Sequence, residues 1–154
     1  MTQELSLPIQ TAWLIPLYGF AGMLVSLPWA SGLFRRDAHR PAAYLNILLT
    51  LLAFGHGSFI LQQVFQSGPV DLAFPWLTVA DLELDISFSL SLTNLVALEL
   101  ITGLSLFSQV YSLCYMDKEW ALARFFALLG LLRGAFDRVV LSNLVFQSYF
   151  LLEV

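Results

Sequence analysis

Six side chains that can exchange protons or bind ions lie within otherwise apolar stretches of this sequence. They are His56, Glu99, Arg133, Asp137, Arg138 and Glu153. Charged groups inside a membrane-spanning helix are costly, so their presence there indicates ion or proton transfer by default. A carboxyl in such a place can take up and release a proton near neutral pH, because burial disfavours its charged form. Proton transfer is therefore the chemistry that these residues could support.

The two glutamates are the first candidates for carrying a proton. Glu153 follows Tyr149 and three further apolar residues, with no cation nearby in the sequence, and we rank it first. Glu99 falls about nine residues into a predicted helix, roughly 13 Å deep if that helix stands upright. The alternative for Glu99 is a position nearer the lipid headgroups, because helix ends predicted from sequence err by a few residues. We give these two interpretations of Glu99 equal weight.

The remaining candidates are weaker. Arg133 and Asp137 are four residues apart, so they can pair on one face of a helix and lower the cost of each charge. No acid lies three or four residues from Arg138 in the sequence. The cluster could form a proton relay or an anion site, but a locally altered stretch of sequence explains it as well, and we favour that interpretation. His56 could also relay protons, although a hydrogen-bonded packing role is favoured for a single histidine.

The elements that hold these residues are predicted to be membrane-spanning helices. The chain is 58% hydrophobic and only 12% charged, with a mean hydropathy of +0.77, whereas a soluble domain has about 25% charged residues. No charged side chain occurs from Leu5 to Phe34 or from Pro41 to Val70. Each stretch exceeds the roughly 20 residues that a spanning helix needs. We predict an all-α integral membrane protein with four transmembrane helices and the start of a fifth.

The whole chain, residues 1–154, reads as a single membrane domain with one structured loop. The predicted helices cover residues 11–30, 42–65, 90–116, 120–141 and 144–154. The loop at 67–88 is acidic, whereas three of the seven basic residues lie in the connection at 31–41, which puts the loop on the non-cytoplasmic side. Polar and apolar residues alternate over 81–89, which predicts a strand, with 74–79 as its hairpin partner and a turn at Ala80 and Asp81.

Composition argues against several other classes of protein. The formal net charge is −4, with only seven scattered basic residues, so no nucleic-acid partner is expected. Cys114 is the only cysteine, and we expect it to be a buried, inert thiol. No nucleotide-binding glycine pattern or zinc spacing occurs, so we expect this chain to bind no cofactor or metal. Redox chemistry, if any, would take place in another subunit.

Several segments together resemble the N-terminal part of the large antiporter-like subunit of respiratory complex I, known as chain 5, and in particular the NdhF-type subunits of the cyanobacterial type-1 NAD(P)H dehydrogenase. These segments are LSLT at 90–93, YMDKEW at 115–120, ARFFALLG at 123–130 and SYFLLE at 148–153. Three more resemble the carbon-dioxide-uptake variants of that subunit: PW at 28–29, RPAAY at 40–44 and NIL at 46–48.

The resemblance implies a membrane subunit that passes protons while quinone is reduced elsewhere in the complex. Glu153 matches a glutamate of the family's fifth helix that pairs with a lysine further along the chain. NAD(P)H or ferredoxin, iron–sulfur and quinone sites are expected on other subunits, so this chain would not be catalytic alone. The implied partners are the other membrane subunits and the lipid bilayer. The implied location is the cyanobacterial thylakoid membrane, with the plasma membrane as the alternative.

Two other functions stay open at this point. The sequence around Arg133 departs from the family's pattern, and no lysine follows Glu153, which fits a non-catalytic membrane scaffold or a decayed, truncated paralogue without proton translocation. A small independent ion carrier, assembled as an oligomer, is the weakest alternative. Substitution of Glu153 by Gln separates a proton pathway from a scaffold.

Overall fold

The structure is a computed structural model that describes residues 7–33, 40–79, 82–116 and 121–142, together with Tyr149 and Glu153. Side chains are described in these ranges except at residues 7–8 and 73–87. In chain order the elements are α1 (Leu7–Gln10), α2 (Leu14–Ala30), α3 (Arg40–Ser67), β1 (Val70–Val79), β2 (Leu82–Leu90), α4 (Leu92–Tyr115) and α5 (Leu122–Leu141).

The first long helix, predicted for residues 11–30, begins three residues later, at Leu14. A turn at residues 11–13 separates the short α1 from α2, whereas the sequence pattern predicted one helix from residue 11. Pro16 lies in the first turn of α2, where its missing N–H has no intrahelical partner to lose. Pro28 lies near the other end of the same helix. Pro28 cannot donate to the carbonyl of Leu24, four residues earlier, and α2 ends two residues after it, at Ala30.

Helix α3 is longer than the predicted 42–65. It begins at Arg40, with Pro41 as the next residue, and ends at Ser67. Proline suits the first turn of a helix, and Gly68 follows the last turn with φ of 91°. Glycine in this left-handed conformation is a common helix end, because it has no Cβ to clash. At about 1.5 Å per residue the helix measures roughly 42 Å, more than the ~30 Å hydrocarbon core of a bilayer.

The predicted hairpin between the second and third long helices is confirmed. Strands β1 and β2 are antiparallel, with Val70 opposite Leu90 and Val79 opposite Leu82. The register shifts between Pro75 and Leu77, at a proline that has no N–H to give to the ladder. The predicted turn at Ala80 and Asp81 lies outside the described residues.

Helix α4 starts two residues later than predicted. Leu90 is still paired in the hairpin, and Ser91 then caps the helix by accepting a hydrogen bond from the backbone N–H of Asn94 at 3.2 Å. A serine side chain at this position satisfies one of the N–H groups that a helix start leaves without a partner. The hairpin and the cap together determine where α4 begins.

Helices α2 and α5 run in opposite directions and touch backbone to backbone. A Cβ added to Gly19 would lie 2.5 Å from the Cα of Gly134, and one added to Gly130 would lie 2.8 Å from the backbone nitrogen of Met23. Near one end of this contact, Arg124 donates a hydrogen bond to the carbonyl of Ala30 at 3.0 Å. Glycines on both helices thus let the two backbones approach closely.

Two apolar clusters lie at opposite ends of the bundle. The larger one, beside the hairpin, includes Ile15, Ile60, Phe88, Leu95 and Leu141. The smaller one consists of buried Ala43, Leu122 and Phe126 with partly buried neighbours. The stretches of α3 and α5 between these clusters carry buried polar and charged side chains. The interior is thus apolar at both ends and polar in the middle.

Two helices, α3 and α4, are long and apolar enough to cross a membrane. Helix α2 is apolar but has 17 residues, and α5 carries four charged residues. The prediction of four spanning helices therefore stays a prediction. In the predicted fifth helix, 144–154, only Tyr149 and Glu153 are described.

The expectation of a buried cysteine is wrong, because Cys114 is exposed. It lies near the end of α4, on which Leu104, Phe107 and Tyr111 are also largely exposed. An apolar helix therefore does not imply burial within the chain.

Candidate functional site

A buried ion pair occupies the middle of the bundle. The guanidinium of Arg133 places Nη2 3.2 Å from Oδ2 of Asp137, one helical turn away, and the side chains are only 2% and 0% exposed. The two residues can meet because positions i and i+4 share one face of a helix. The predicted pairing is confirmed, but its depth inside the bundle was not predicted. A charge at this depth is tolerated only with partners.

Helix α3 supplies the second partner of the arginine. Nη1 of Arg133 donates to the hydroxyl of Thr50 at 2.9 Å. The same hydroxyl lies 2.9 Å from Oε1 of Gln109 and 2.9 Å from the backbone carbonyl of Asn46. A hydroxyl has one hydrogen and two lone pairs, so Thr50 accepts from Arg133 while its hydrogen serves these two oxygens. Thr50 therefore links the ion pair on α5 to α4.

The amide of Asn46 holds the other end of this polar cluster. Its Nδ2 donates to the carbonyl of Phe126 at 2.9 Å, and its Oδ1 accepts from Nε2 of Gln109 at 3.4 Å. Nδ2 also lies 3.4 Å from the hydroxyl of Ser26 on α2. A Cβ added to Gly22 or Gly130 would lie 3.0 Å from the same amide. The glycines thus leave the space that the amide fills.

Glu99 lies on α4, near the hairpin end of the bundle. Ser58 of α3 donates to its Oε2 at 3.1 Å, while its Oε1 is buried with no hydrogen-bond partner among the described residues. That oxygen points at Gly57, where an added Cβ would clash with it. The side chain of Glu99 is thus held against Ser58 and Gly57 of α3.

The carboxylate of Asp137 is poorly satisfied for a buried group. Although Arg133 lies at salt-bridge distance, neither oxygen has a hydrogen-bond partner within the part of the chain that the structure describes. Buried polar atoms are nearly always hydrogen-bonded, so such an exception calls for an explanation. A proton on the carboxyl of Asp137, or a shift of the Arg133 guanidinium, would change how well these two oxygens are hydrogen-bonded.

The other predicted residues lie away from this cluster or at its border. Nε2 of His56 is 3.1 Å from the hydroxyl of Thr11, and its ring meets Tyr18 edge-on at 6.2 Å, as the packing interpretation expects. The guanidinium of Arg138 lies 3.8 Å over the ring of Phe88, a cation–π contact. Glu153 is exposed in a turn. Its neighbours on both sides lie outside the described residues, so its role stays a prediction.

Sequence reasoning missed the three uncharged members of the cluster as site residues. Asn46, Thr50 and Gln109 are polar residues in apolar helices, and Asn46 and Thr50 are four apart on one face of α3. Polar groups at such places seek partners on other helices, which is the signal that could have indicated them. Among the described residues no group of three His, Cys, Asp or Glu could hold a metal ion.

The fold and the buried cluster are those of a membrane helix bundle with a charged, hydrogen-bonded interior. Comparison with known proteins narrows the class. The family model described as NADH-ubiquinone oxidoreductase (complex I), chain 5 N-terminus, matches residues 76–126. A protein of Paulinella chromatophora, NAD(P)H-quinone oxidoreductase subunit 5, organellar chromatophore 2, is 62% identical over 156 residues, covering 100% of this chain and 25% of the relative.

Chloroplastic relatives agree with this assignment. NAD(P)H-quinone oxidoreductase subunit 5 of Chlorokybus atmophyticus is 30% identical over 93% of this chain and 22% of its own length. The protein of the same name from Mesostigma viride is 27% identical over 94% of this chain and 23% of its own length. The chain belongs to the family of complex I chain 5, and it spans about a quarter of the length of the relatives that it matches.

Proposed function

We propose that this chain is part of the membrane arm of a NAD(P)H-quinone oxidoreductase and helps protons to cross the membrane while other subunits reduce quinone. The observation that carries the proposal is the Arg133–Asp137 pair, buried in the bundle and continued by Thr50 onto α3. Ionisable groups inside membrane helices are typical of ion and proton pathways. The identity of the complex is inferred from the names of the relatives, which are subunits of NAD(P)H-quinone oxidoreductase.

Within this function we assign proton-carrying roles to Glu153 first and Glu99 second. Glu99 is supported by its buried Oε1 and by the hydroxyl of Ser58, which holds the other oxygen.

The proposed setting is a thylakoid-type membrane, and the proposed partners are the other membrane subunits of the complex. NAD(P)H or ferredoxin, iron–sulfur and quinone sites would lie on those other subunits. A finer proposal is a carbon-dioxide-uptake form, supported by the resemblance of residues 28–29, 40–44 and 46–48 to such variants. Removal of this chain from cells should then lower carbon dioxide uptake as well as proton pumping.

The test uses membranes that carry the assembled complex. Vesicles with Glu99→Gln or Glu153→Gln should reduce quinone but take up fewer protons per quinone, whereas Asp71→Asn should behave as the unmodified protein. Asp71 is the matched control because it is an exposed acid at the start of the hairpin. Unchanged proton uptake by both Gln variants in assembled complexes would refute the pathway and favour a scaffold role.

A further inference from the structure

A chain of hydrogen bonds runs through the buried polar cluster and begins and ends on α5. Nη1 of Arg133 donates to the hydroxyl of Thr50, which lies 2.9 Å from Oε1 of Gln109. Nε2 of Gln109 donates to Oδ1 of Asn46 at 3.4 Å, and Nδ2 of Asn46 donates to the backbone carbonyl of Phe126 at 2.9 Å. The chain therefore leaves α5, crosses α3 and α4, and returns to α5 about two helical turns from where it began.

The two ends of this chain fix its direction. A backbone carbonyl only accepts hydrogen bonds, so the amide of Asn46 must turn its nitrogen to Phe126 and its oxygen to Gln109. Gln109 must then turn its nitrogen to Asn46 and its oxygen to Thr50. The hydroxyl hydrogen of Thr50 is directed to that oxygen or to the carbonyl of Asn46, both of which accept. Its lone pairs are left for the guanidinium of Arg133, a group that only donates.

The direction of the chain has an electrostatic consequence for Arg133. Each hydrogen bond turns an acceptor oxygen, the negative end of a dipole, toward the arginine. Hydrogen bonds in such a chain polarise one another, and the low dielectric of a buried site strengthens them. The side chains of Asn46, Thr50 and Gln109 are at most 2% exposed, so the chain lies in such a site. The positive charge is therefore stabilised through Nη1, while Asp137 lies against Nη2.

We propose that Asn46 and Gln109 are positioning residues that act on Arg133 through the hydroxyl of Thr50, so that the guanidinium is held in place and its charge is stabilised. Thr50 is the contact between the polar cluster and the guanidinium. The two amides determine which way the dipoles behind that contact point. The inference rests on the proposed function in one respect, because the position of Arg133 affects activity only if protons pass through this bundle.

Ser26 belongs to the same polar cluster but lies outside the chain. Its hydroxyl donates to the carbonyl of Gly22 at 2.8 Å and lies 3.4 Å from Nδ2 of Asn46. The bond from Nδ2 to the carbonyl of Phe126 orients the amide of Asn46 without it. Ser26→Ala therefore disturbs the packing of the cluster but leaves the direction of the chain toward Arg133 intact, which makes it the matched control for stability and spectroscopy.

The first measurement is nitrogen NMR of the protein, purified in detergent and carrying isotope-labelled arginine. The Nη signals of Arg133 are identified by their loss in the double variant Arg133→Met with Asp137→Leu. Gln109→Met replaces the amide with an apolar group of similar length and should shift these signals, although residue 109 does not touch the guanidinium. Ser26→Ala should leave them in place. Unchanged signals in Gln109→Met, or an equal shift in Ser26→Ala, would overturn the proposal.

The second measurement compares thermal unfolding midpoints in detergent with and without the buried ion pair. Gln109→Met should lower the midpoint more in the unmodified protein than in Arg133→Met with Asp137→Leu, where no charge is left for the chain to stabilise. Such a difference is the coupling energy of the two sites. Ser26→Ala should cause the same loss in both backgrounds. If Gln109→Met also causes the same loss in both, Gln109 serves only helix packing and the proposal is wrong.

Vesicles that carry the assembled complex separate this inference from the proposed function. Gln109→Met should reduce proton uptake per quinone, with Asp71→Asn as the control. If unmodified vesicles pump and Gln109→Met vesicles pump equally well, the positioning role is wrong and the proposed function stands. If unmodified vesicles do not pump, the proposed function is wrong, and the arginine signals and the unfolding midpoints still decide whether Gln109 acts on Arg133.

A second variant covers the case in which Gln109→Met does not fold. Gln109→Glu keeps the size of the side chain and the acceptor that faces Thr50, but it cannot donate to Asn46 unless it is protonated. It changes the dipole behind Thr50 and should therefore shift the Nη signals of Arg133. Signals at the same position as in the unmodified protein would overturn the proposal.

Discussion

Helix α5 meets α2 and α3 in opposite ways. Toward α2 it presents Gly130 and Gly134, and the two backbones touch. Toward α3 it presents Arg133, with Asp137 one turn further along. Both pairs are four residues apart, because residues i and i+4 share a helix face. The side toward α2 is packed against backbone, whereas the side toward α3 carries charged side chains.

This difference indicates what each side contributes. A backbone contact has no side chain that can move, so the α2 side holds α5 at a fixed distance from its neighbour. The charged side instead depends on two long side chains and on hydrogen bonds to Thr50. The α2 side therefore sets the spacing of the two helices, whereas the charged side depends on its hydrogen-bond partners.

The largest loss of stability is expected when only one partner of the Arg133–Asp137 pair is removed. Arg133→Met leaves Asp137 buried without its counterion and should lower the free energy of unfolding by about 3–5 kcal/mol. Arg133→Met with Asp137→Leu removes both charges and should recover most of that loss, because an apolar pair of similar volume is often as stable as a buried ion pair. Denaturation of the purified protein in detergent measures both. Equal destabilisation by the single and double variants would show that the pair does not act as a unit.

Sequence patterns predicted the hairpin and the long apolar helices because both signals are local. Alternation over 81–89 and the long apolar stretch from Pro41 to Val70 are visible without knowing any partner. The polar cluster was not predicted, because Asn46 and Gln109 are 63 residues apart and only helix packing brings them together. For the same reason the contact between Arg133 and Thr50, which are 83 residues apart, was not predicted.

A smaller loss of stability is expected when a side chain is added to the glycine contact between α2 and α5. Gly19→Ala places a Cβ 2.5 Å from both the Cα and the nitrogen of Gly134, so the two backbones must separate. Overpacking of this kind costs about 1–3 kcal/mol. Gly55→Ala is the matched control, because nothing lies within 4 Å of its added Cβ and alanine is the better helix former by about 1 kcal/mol. The same thermal unfolding midpoint for both variants in detergent would show that the close contact of α2 with α5 does not contribute to stability.

The smallest loss of stability is expected when the hydroxyl of Thr50, which joins α3 to Arg133, is removed. This substitution tests the contact between α3 and the ion pair most directly. Thr50→Val keeps the shape of the side chain but removes the acceptor for Arg133 and the donor for Gln109; hydrogen bonds between membrane helices contribute about 1 kcal/mol. Thr102→Val is the control, because this equally buried hydroxyl donates only to carbonyls of its own helix, α4. Thr50→Val should therefore lower stability in detergent more than Thr102→Val does. Equal losses would mean that Thr50, like Thr102, serves its own helix and does not hold the arginine.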